Sequence, residues 1–207
     1  MSFDTTSTGT WRRSARCPTR QSAGRQIRGV IGLLSAAVVL LVTGACGSGS
    51  TQGQGAATTL RAPLPAGPTP SAISKMVCTP EAEEKFAAAL GESATVSTPT
   101  WSDHLYACDF VYPEGSMTLS VKELSSWAET FAYYDSLAAK LGRQTRLQNL
   151  GQAAFQAPDG SVVVRKDWKV LLIDPTKLPS QFGSPATPSA DAAVTVADVI
   201  LGCWAGD

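Results

Sequence analysis

The sequence has little of what enzyme and cofactor sites are built from. Histidine occurs once, as His104, and no serine lies in a Gly-x-Ser-x-Gly elbow. The Cys-x-x-Cys and His-Glu-x-x-His pairs that mark thioredoxin-type and zinc sites are missing, and so is a glycine-rich phosphate loop. These absences argue against a histidine-centred triad and against metal chemistry. We therefore expect no catalytic residue, no cofactor and no metal, and interpret the protein as a non-enzyme.

Long apolar runs are equally scarce. Only residues 30–42 form a largely apolar stretch, and its length of roughly 13 residues suits a signal-peptide core rather than a membrane span of about 20. Positive charge precedes this core and orients the N-terminal end toward the cytoplasm. The arginines concerned are Arg12, Arg13, Arg16, Arg20, Arg25 and Arg28.

The apolar core is followed by Thr43, Gly44, Ala45 and Cys46. Two small residues before a cysteine let a peptidase approach the backbone, and the thiol of Cys46 can then carry a diacylglycerol and further acyl chains. Two or more chains give stable membrane anchoring, whereas one chain binds reversibly. This pattern predicts that residues 1–45 are a signal peptide and that Cys46 is lipidated. The alternatives are an ordinary cleaved secretory signal and a short uncleaved anchor.

Removal of the predicted signal changes the charge of the protein. The whole sequence has a formal net charge of zero, but without the six arginines and Asp4 it has 11 basic and 16 acidic residues, a net charge of −5. An acidic surface argues against nucleic acid as a partner and against electrostatic adhesion to anionic lipids. We expect the lipid on Cys46, rather than charge, to attach the protein to the extracytoplasmic face of the cell membrane.

The chain after Cys46 divides by composition. Residues 46–74 are rich in Gly, Ser, Thr and Pro and poor in large apolar side chains, so we predict a flexible tether. Residues 75–207 are long enough for one hydrophobic core and are predicted to form a single globular domain.

The domain pattern predicts an α+β fold. Thr79-Pro80-Glu81 and a capping box from Ser126 to Glu129 mark two helix starts, and Pro188-Ser189 marks a third. Three strands are expected after each of the first two helices. We predict an antiparallel sheet with helices on one face, in the order helix, three strands, helix, three strands, helix.

Two segments of the domain share a pattern. Residues 110–116 and 155–161 both read Phe-x-x-Pro-acid-Gly-Ser, and each follows a helix pattern that ends in Leu-Gly. We interpret this as an internal duplication. The alternative is that Pro-acid-Gly-Ser is favourable turn chemistry used twice.

The domain contains three cysteines, Cys78, Cys108 and Cys203. In an oxidising compartment two of them should pair. We favour a disulfide between Cys78 and Cys108; pairing of either one with Cys203 stays open.

Large aromatic residues and a group of basic residues are the remaining candidates for binding. Tyr133 and Tyr134 are neighbours on a predicted helix and cannot both face one core, so we expect Tyr133 to point outward. Five basic residues come together if the strands of the second unit are adjacent. The candidate interaction surface therefore comprises Tyr133, Arg143, Arg146, Arg165, Lys166 and Lys169.

The arginine-rich leader ending in Thr43-Gly44-Ala45-Cys46, the Gly/Ser/Thr/Pro tether and the small cysteine-containing domain together resemble the small, mostly uncharacterised lipoproteins of actinobacteria. The resemblance implies location and anchoring and transfers no site residue. We expect a membrane-anchored, non-enzymatic module that binds a protein or a cell-envelope component. The alternative is a carrier that holds an apolar or lipid ligand between sheet and helices.

Overall fold

The computed structural model describes residues 63–204, which belong to one compact unit, Arg61–Asp207. Four helices lie in this part of the chain: α1 Ala72–Met76, α2 Pro80–Leu90, α3 Trp127–Leu141 and α4 Ser189–Cys203. No helix within residues 63–204 has both the length and the apolar character that a membrane crossing requires. The predicted signal peptide and Cys46 lie outside the described residues.

The helix boundaries follow from their caps. The Thr79 side chain accepts a hydrogen bond from the backbone N–H of Ala82, with Pro80 in the first turn of α2. Gly91 ends that helix with φ of 70°, a conformation that glycine adopts without strain. The Ser126 hydroxyl caps α3, and the Glu129 carboxylate accepts a hydrogen bond from the backbone N–H of Ser125. The predicted α2 and α3 are thus confirmed, caps included.

The described strands form one large antiparallel sheet and a separate small hairpin. The order across the large sheet is β1-β3-β4-β8-β7-β6-β5, and β2 pairs with β3 beside β1. Its strands are β1 Thr95–Val96, β2 Thr100–Ser102, β3 Leu105–Tyr112, β4 Gly115–Glu123, β5 Thr145–Leu147, β6 Ala153–Gln156, β7 Val162–Lys166 and β8 Lys169–Lys177. The hairpin consists of β9 Gln181–Phe182 and β10 Thr187–Pro188. The antiparallel α+β architecture predicted from the sequence is therefore present.

The sequence had led us to expect all helices on one face of the sheet, but in the structure they lie on both faces. Val162, Val163 and Val164 are all fully buried, which requires cover on both faces of β7. Val162 and Val164 pack in the core cluster that includes Phe86 of α2 and side chains of α4. Val163 packs in a second cluster with Tyr134 and Leu137 of α3. Because consecutive strand residues point to opposite faces, α3 lies on the face opposite α2 and α4.

The order of elements also differs from the predicted alternation. Helix α1 precedes α2 and begins within the last three residues of the predicted tether. The first edge strand is split into β1 and β2, with Pro99 between them. Strand β5 and the β9–β10 hairpin occupy stretches for which no strand was expected. Such two- and three-residue strands leave almost no periodic signal in a sequence.

The two Phe-x-x-Pro-acid-Gly-Ser segments form different turns. In the first, Tyr112 pairs directly with Gly115, so only Pro113 and Glu114 make the connection. In the second, Gln156 pairs with Val162, which leaves a five-residue loop, Ala157 to Ser161. The shared motif alone therefore does not establish an internal duplication.

Candidate interaction surface

Helix α3 carries the most exposed aromatic side chains of the folded unit. Trp127 and Phe131 are 38% and 46% exposed. Their rings stack with centroids 6.0 Å apart, and Trp127 also contacts the Trp168 ring edge-on at 6.5 Å. Large aromatic groups held in this way and left open to solvent are typical of contact surfaces.

Two arginines lie over the aromatic rings of this region. The Arg165 guanidinium is 4.3 Å from the centroid of Phe131 and 5.7 Å from that of Tyr134. The Arg143 guanidinium is 5.4 Å from the Tyr134 centroid and forms a 3.3 Å ion pair with Asp135. Cations prefer this position over a ring face. We refer to Trp127, Phe131, Tyr134, Trp168, Arg143 and Arg165 as the aromatic–arginine surface.

The aromatic–arginine surface exists because the buried face of α3 is turned away from its apolar stripe. At helical spacing, Trp127, Phe131, Tyr134, Ala138 and Leu141 form one apolar stripe along α3, which would be expected to face inward. In the structure Thr130, Tyr134 and Leu137 are the buried residues of α3. At 100° per residue, this buried face is rotated by about 50° from the stripe, so Trp127 and Phe131 emerge at its margin.

Two N–H donors of this surface are not hydrogen-bonded within the described part of the chain. Arg165 Nε and Trp168 Nε1 are shielded from solvent and have no partner among residues 63–204. Burial raises the pKa of Tyr134 above its usual value of 10, while the charges of Arg143 and Arg165 act to lower it. The surface therefore combines exposed rings, positive charge and unsatisfied donors.

The structure brings together only some of the six predicted interaction residues. Arg143 and Arg165 lie on the aromatic–arginine surface, and the charge of exposed Arg146 on β5 also reaches Tyr134. Tyr133 was expected to point outward but is half-buried. The Lys122 ammonium lies 5.9 Å from the centroid of the Tyr133 ring.

The two predicted lysines lie elsewhere. Lys166 is on the opposite face of β7 from Arg165, and its Nζ donates to the backbone carbonyl of Trp204. Lys169 is 1% exposed and lies directly opposite Glu123 in the β4–β8 ladder. Neither lysine contributes to the α3 face.

The chain enters the folded unit next to the aromatic–arginine surface. The backbone N–H of Ala66 donates to the Leu124 carbonyl at 3.1 Å, and the Leu124 N–H donates to the Trp168 carbonyl at 2.8 Å. Trp127 follows Leu124 by three residues. We call residues 66–76 the N-terminal strap.

Side chains of the domain hold the strap in place. Trp101 Nε1 donates to the Pro68 carbonyl at 3.0 Å, and His104 Nδ1 lies 3.1 Å from the Gly67 carbonyl. The buried Glu123 carboxylate accepts the Ser71 N–H at 2.8 Å and the Ser74 hydroxyl. The sole histidine thus packs against the strap, beside Trp101, and the residues predicted as tether up to 74 include a segment bound to the domain.

Glu123 was not singled out from the sequence, although the sequence contains a signal for it. Met117, Leu119 and Val121 alternate along β4 as buried residues, so the same alternation places Glu123 inward. An acid at such a position needs hydrogen-bond donors, which the strap supplies. The exposure of Trp127 and Phe131, in contrast, depends on how α3 rolls against the sheet, and no local pattern indicates it.

The disulfide between Cys78 and Cys108 is confirmed, with a Cα–Cα distance of 6.1 Å. It joins the residue before the Thr79 cap of α2 to the middle of β3. An open groove of about 410 Å³ lies beside it, lined by Glu83 and polar residues of the 95–99 segment among others. No group of three or more metal-type ligands occurs within residues 63–204.

Comparisons with known proteins give no relative from which a function can be inferred. No family model matches the chain, and no match was found among curated proteins or among solved structures. Function must therefore be inferred from the sequence and from the surface itself.

Proposed function

We propose that the protein is an extracytoplasmic lipoprotein, anchored to the cell membrane through Cys46, whose domain is a non-enzymatic binding module. The observation that carries the proposal is the aromatic–arginine surface. Its exposed rings, Trp127 and Phe131, stand on a helix that packs against the buried strands β7 and β8. Rigid support of this kind reduces the entropy lost when a partner binds. The partner is a protein or a cell-envelope component, and nucleic acid is disfavoured by the acidic charge after Cys46.

The anchoring part of the proposal rests on the leader. Positive charge, an apolar core of signal-peptide length and two small residues before Cys46 occur in the order that lipoprotein export requires. The resemblance to small actinobacterial lipoproteins points the same way. A disulfide in the domain is consistent with an oxidising compartment.

The structure favours the binding module over a carrier of an apolar ligand. A carrier needs an enclosed apolar cavity. Both faces of the sheet are instead filled by side chains such as Phe86, Phe155 and Ile173, which are at most 2% exposed. The groove beside the disulfide is open and has Glu83 in its wall.

Membrane fractionation of cells that produce the Cys46→Ser variant tests the anchor. We expect the wild type, and a matched Cys17→Ser variant, in the membrane fraction with incorporated fatty acid. The Cys46→Ser variant should lose the fatty-acid label and leave the membrane fraction. Unchanged labelling of Cys46→Ser would contradict the proposal, because no other cysteine occupies a lipidation position.

A further inference from the structure

We infer that the aromatic–arginine surface contacts the membrane in which the protein is anchored, with Trp127 and Phe131 at the level of the lipid headgroups. The inference rests on the proposed lipid anchor and names the cell-envelope component that the binding module contacts. Three observations carry it: the point where the chain meets the domain, the kinds of side chain exposed there, and the pairing of Arg165.

The first observation is the point of attachment. The strap begins with the backbone hydrogen bond from Ala66 to Leu124, and the Leu124 N–H in turn donates to the backbone carbonyl of Trp168, a residue of the surface. About 17 residues separate Cys46 from Pro63, so the anchor lies within roughly 60 Å of the described chain even when fully extended. A lipid on Cys46 therefore sets an upper limit to the distance between this corner of the domain and the bilayer. Tethering raises the effective concentration of a second contact, so a weak surface contact suffices.

The second observation is the composition of this corner. Among the described residues, the large apolar side chains that remain exposed are Leu64, Val111, Trp127 and Phe131. Leu64 lies two residues before Ala66, the first residue of the strap. Three of these four side chains thus belong to the region where the tether arrives. Amphipathic aromatic residues prefer the membrane–water interface, where the rings leave water and polar atoms remain hydrated.

The third observation concerns Arg165. Its guanidinium lies over the Phe131 ring, and its Nε has no partner within the described residues. Arg165 Nε is itself shielded from solvent, but the side chain as a whole is only half-buried, so the exposed part of Arg165 can contact a lipid phosphate.

Charge attraction is a minor part of this contact. The chain after Cys46 has a net charge of −5, and Glu129 and Asp135 are exposed on α3 itself. Apolar burial must therefore contribute most of the affinity. The contact should consequently depend little on salt and persist on zwitterionic lipid.

Depth-dependent fluorescence quenching tests the inference. The lipidated full protein is purified from membranes and reconstituted in phosphatidylcholine vesicles, with or without bromine on the acyl chains. We expect brominated lipid to quench the tryptophan emission, and Trp127→Phe to lose at least half of that quenching. Phe131→Ser should weaken the quenching two-fold or more, while Val111→Ser, which changes a similarly exposed side chain on β3, should leave it unchanged.

The outcomes separate this inference from the proposed function. Protein that floats with the vesicles but shows equal emission in brominated and plain lipid overturns the membrane contact and leaves the anchor intact. If Trp127 is also protected from hydroxyl-radical oxidation on intact cells, the occupant is a protein. Protein that does not float with the vesicles overturns the anchor and, with it, this inference.

Discussion

Replacement of Glu123 should unfasten the N-terminal strap and destabilise the domain. The Glu123 carboxylate is 4% exposed and accepts hydrogen bonds from the Ser71 N–H and the Ser74 hydroxyl. Lys169, 1% exposed, lies directly opposite it on β8. Glu123→Ala removes the acceptor, and Glu123→Gln keeps its shape while removing its charge.

The magnitude follows from these contacts. A hydrogen bond to a charged group contributes about 1.5 to 3 kcal/mol, so the loss of two such bonds in Glu123→Ala should cost about 3 to 6 kcal/mol. The glutamine amide oxygen can still accept both hydrogen bonds, but each then contributes the smaller free energy of a bond between neutral groups, about 0.5 to 1.5 kcal/mol. However, Glu123→Gln also removes the negative charge that lies opposite a buried ammonium. We therefore expect a cost of at least about 2 kcal/mol for this variant.

Urea unfolding of the purified protein, followed by far-ultraviolet circular dichroism, measures both costs. With a slope of about 2 kcal/mol per molar urea, Glu123→Ala should lower the unfolding midpoint by roughly 1.5 to 3 M. Glu114→Gln, an exposed acid in the β3–β4 turn, is the matched control and should lie within about 0.5 kcal/mol of the wild type. If Glu123→Ala unfolds at the wild-type midpoint, the strap is not fastened by this carboxylate and the reasoning fails.

Two further predictions concern stability. Removal of the Cys78–Cys108 disulfide by paired alanine substitutions should cost about 3.6 kcal/mol in the chain-entropy model, since 30 residues separate the two cysteines; an unchanged urea midpoint would contradict it. Burial, and to a lesser extent the negative charge of Glu83, raises the pKa of Tyr112 to about 12. The unfolded chain therefore loses this proton first, so stability should fall as pH rises from 10 toward 12, by at most about 1.4 kcal/mol per pH unit. The Tyr112 hydroxyl has no hydrogen-bond partner within the described residues, so Tyr112→Phe should be neutral or stabilising at pH 7. At high pH this variant should unfold less readily than the wild type. An identical alkaline unfolding transition in both proteins would refute this.

Local sequence chemistry predicted the parts of the fold that local interactions determine. The caps at Thr79 and Ser126 and the stop at Gly91 act within one helical turn, and they lie where the sequence placed them. The disulfide was favoured as a link between the start of the first helix, at Cys78, and the predicted second strand, at Cys108, and the structure contains it. Each of these features needs only neighbouring residues or one covalent constraint.

The side of the sheet on which α3 packs was not predictable in the same way. The run Val162-Val163-Val164 shows that both faces of a strand are buried, but it does not show which helix covers which face. Arg165 and Lys166 illustrate the consequence, because adjacent residues of β7 point to opposite faces and so cannot join one basic patch. Arg143 lies near Arg165 because it follows the end of α3, the helix that packs on this face, and its guanidinium contacts the Tyr134 ring.

The strap links the stability of the fold to the placement of the aromatic–arginine surface. Glu123 accepts hydrogen bonds from Ser71 and Ser74. The next residue, Leu124, is hydrogen-bonded through its backbone to Ala66 and Trp168 and precedes α3 by three residues. If the strap detached, about 11 further residues would become tether, and the reach of the domain from Cys46 would grow by roughly 35 Å. Under the proposed lipid anchor, the surface would then be held less closely to Cys46, although none of its own contacts would change. Under that proposal, the hydrogen bonds of the buried Glu123 carboxylate keep the point where the tether meets the domain close to Trp127 and Phe131.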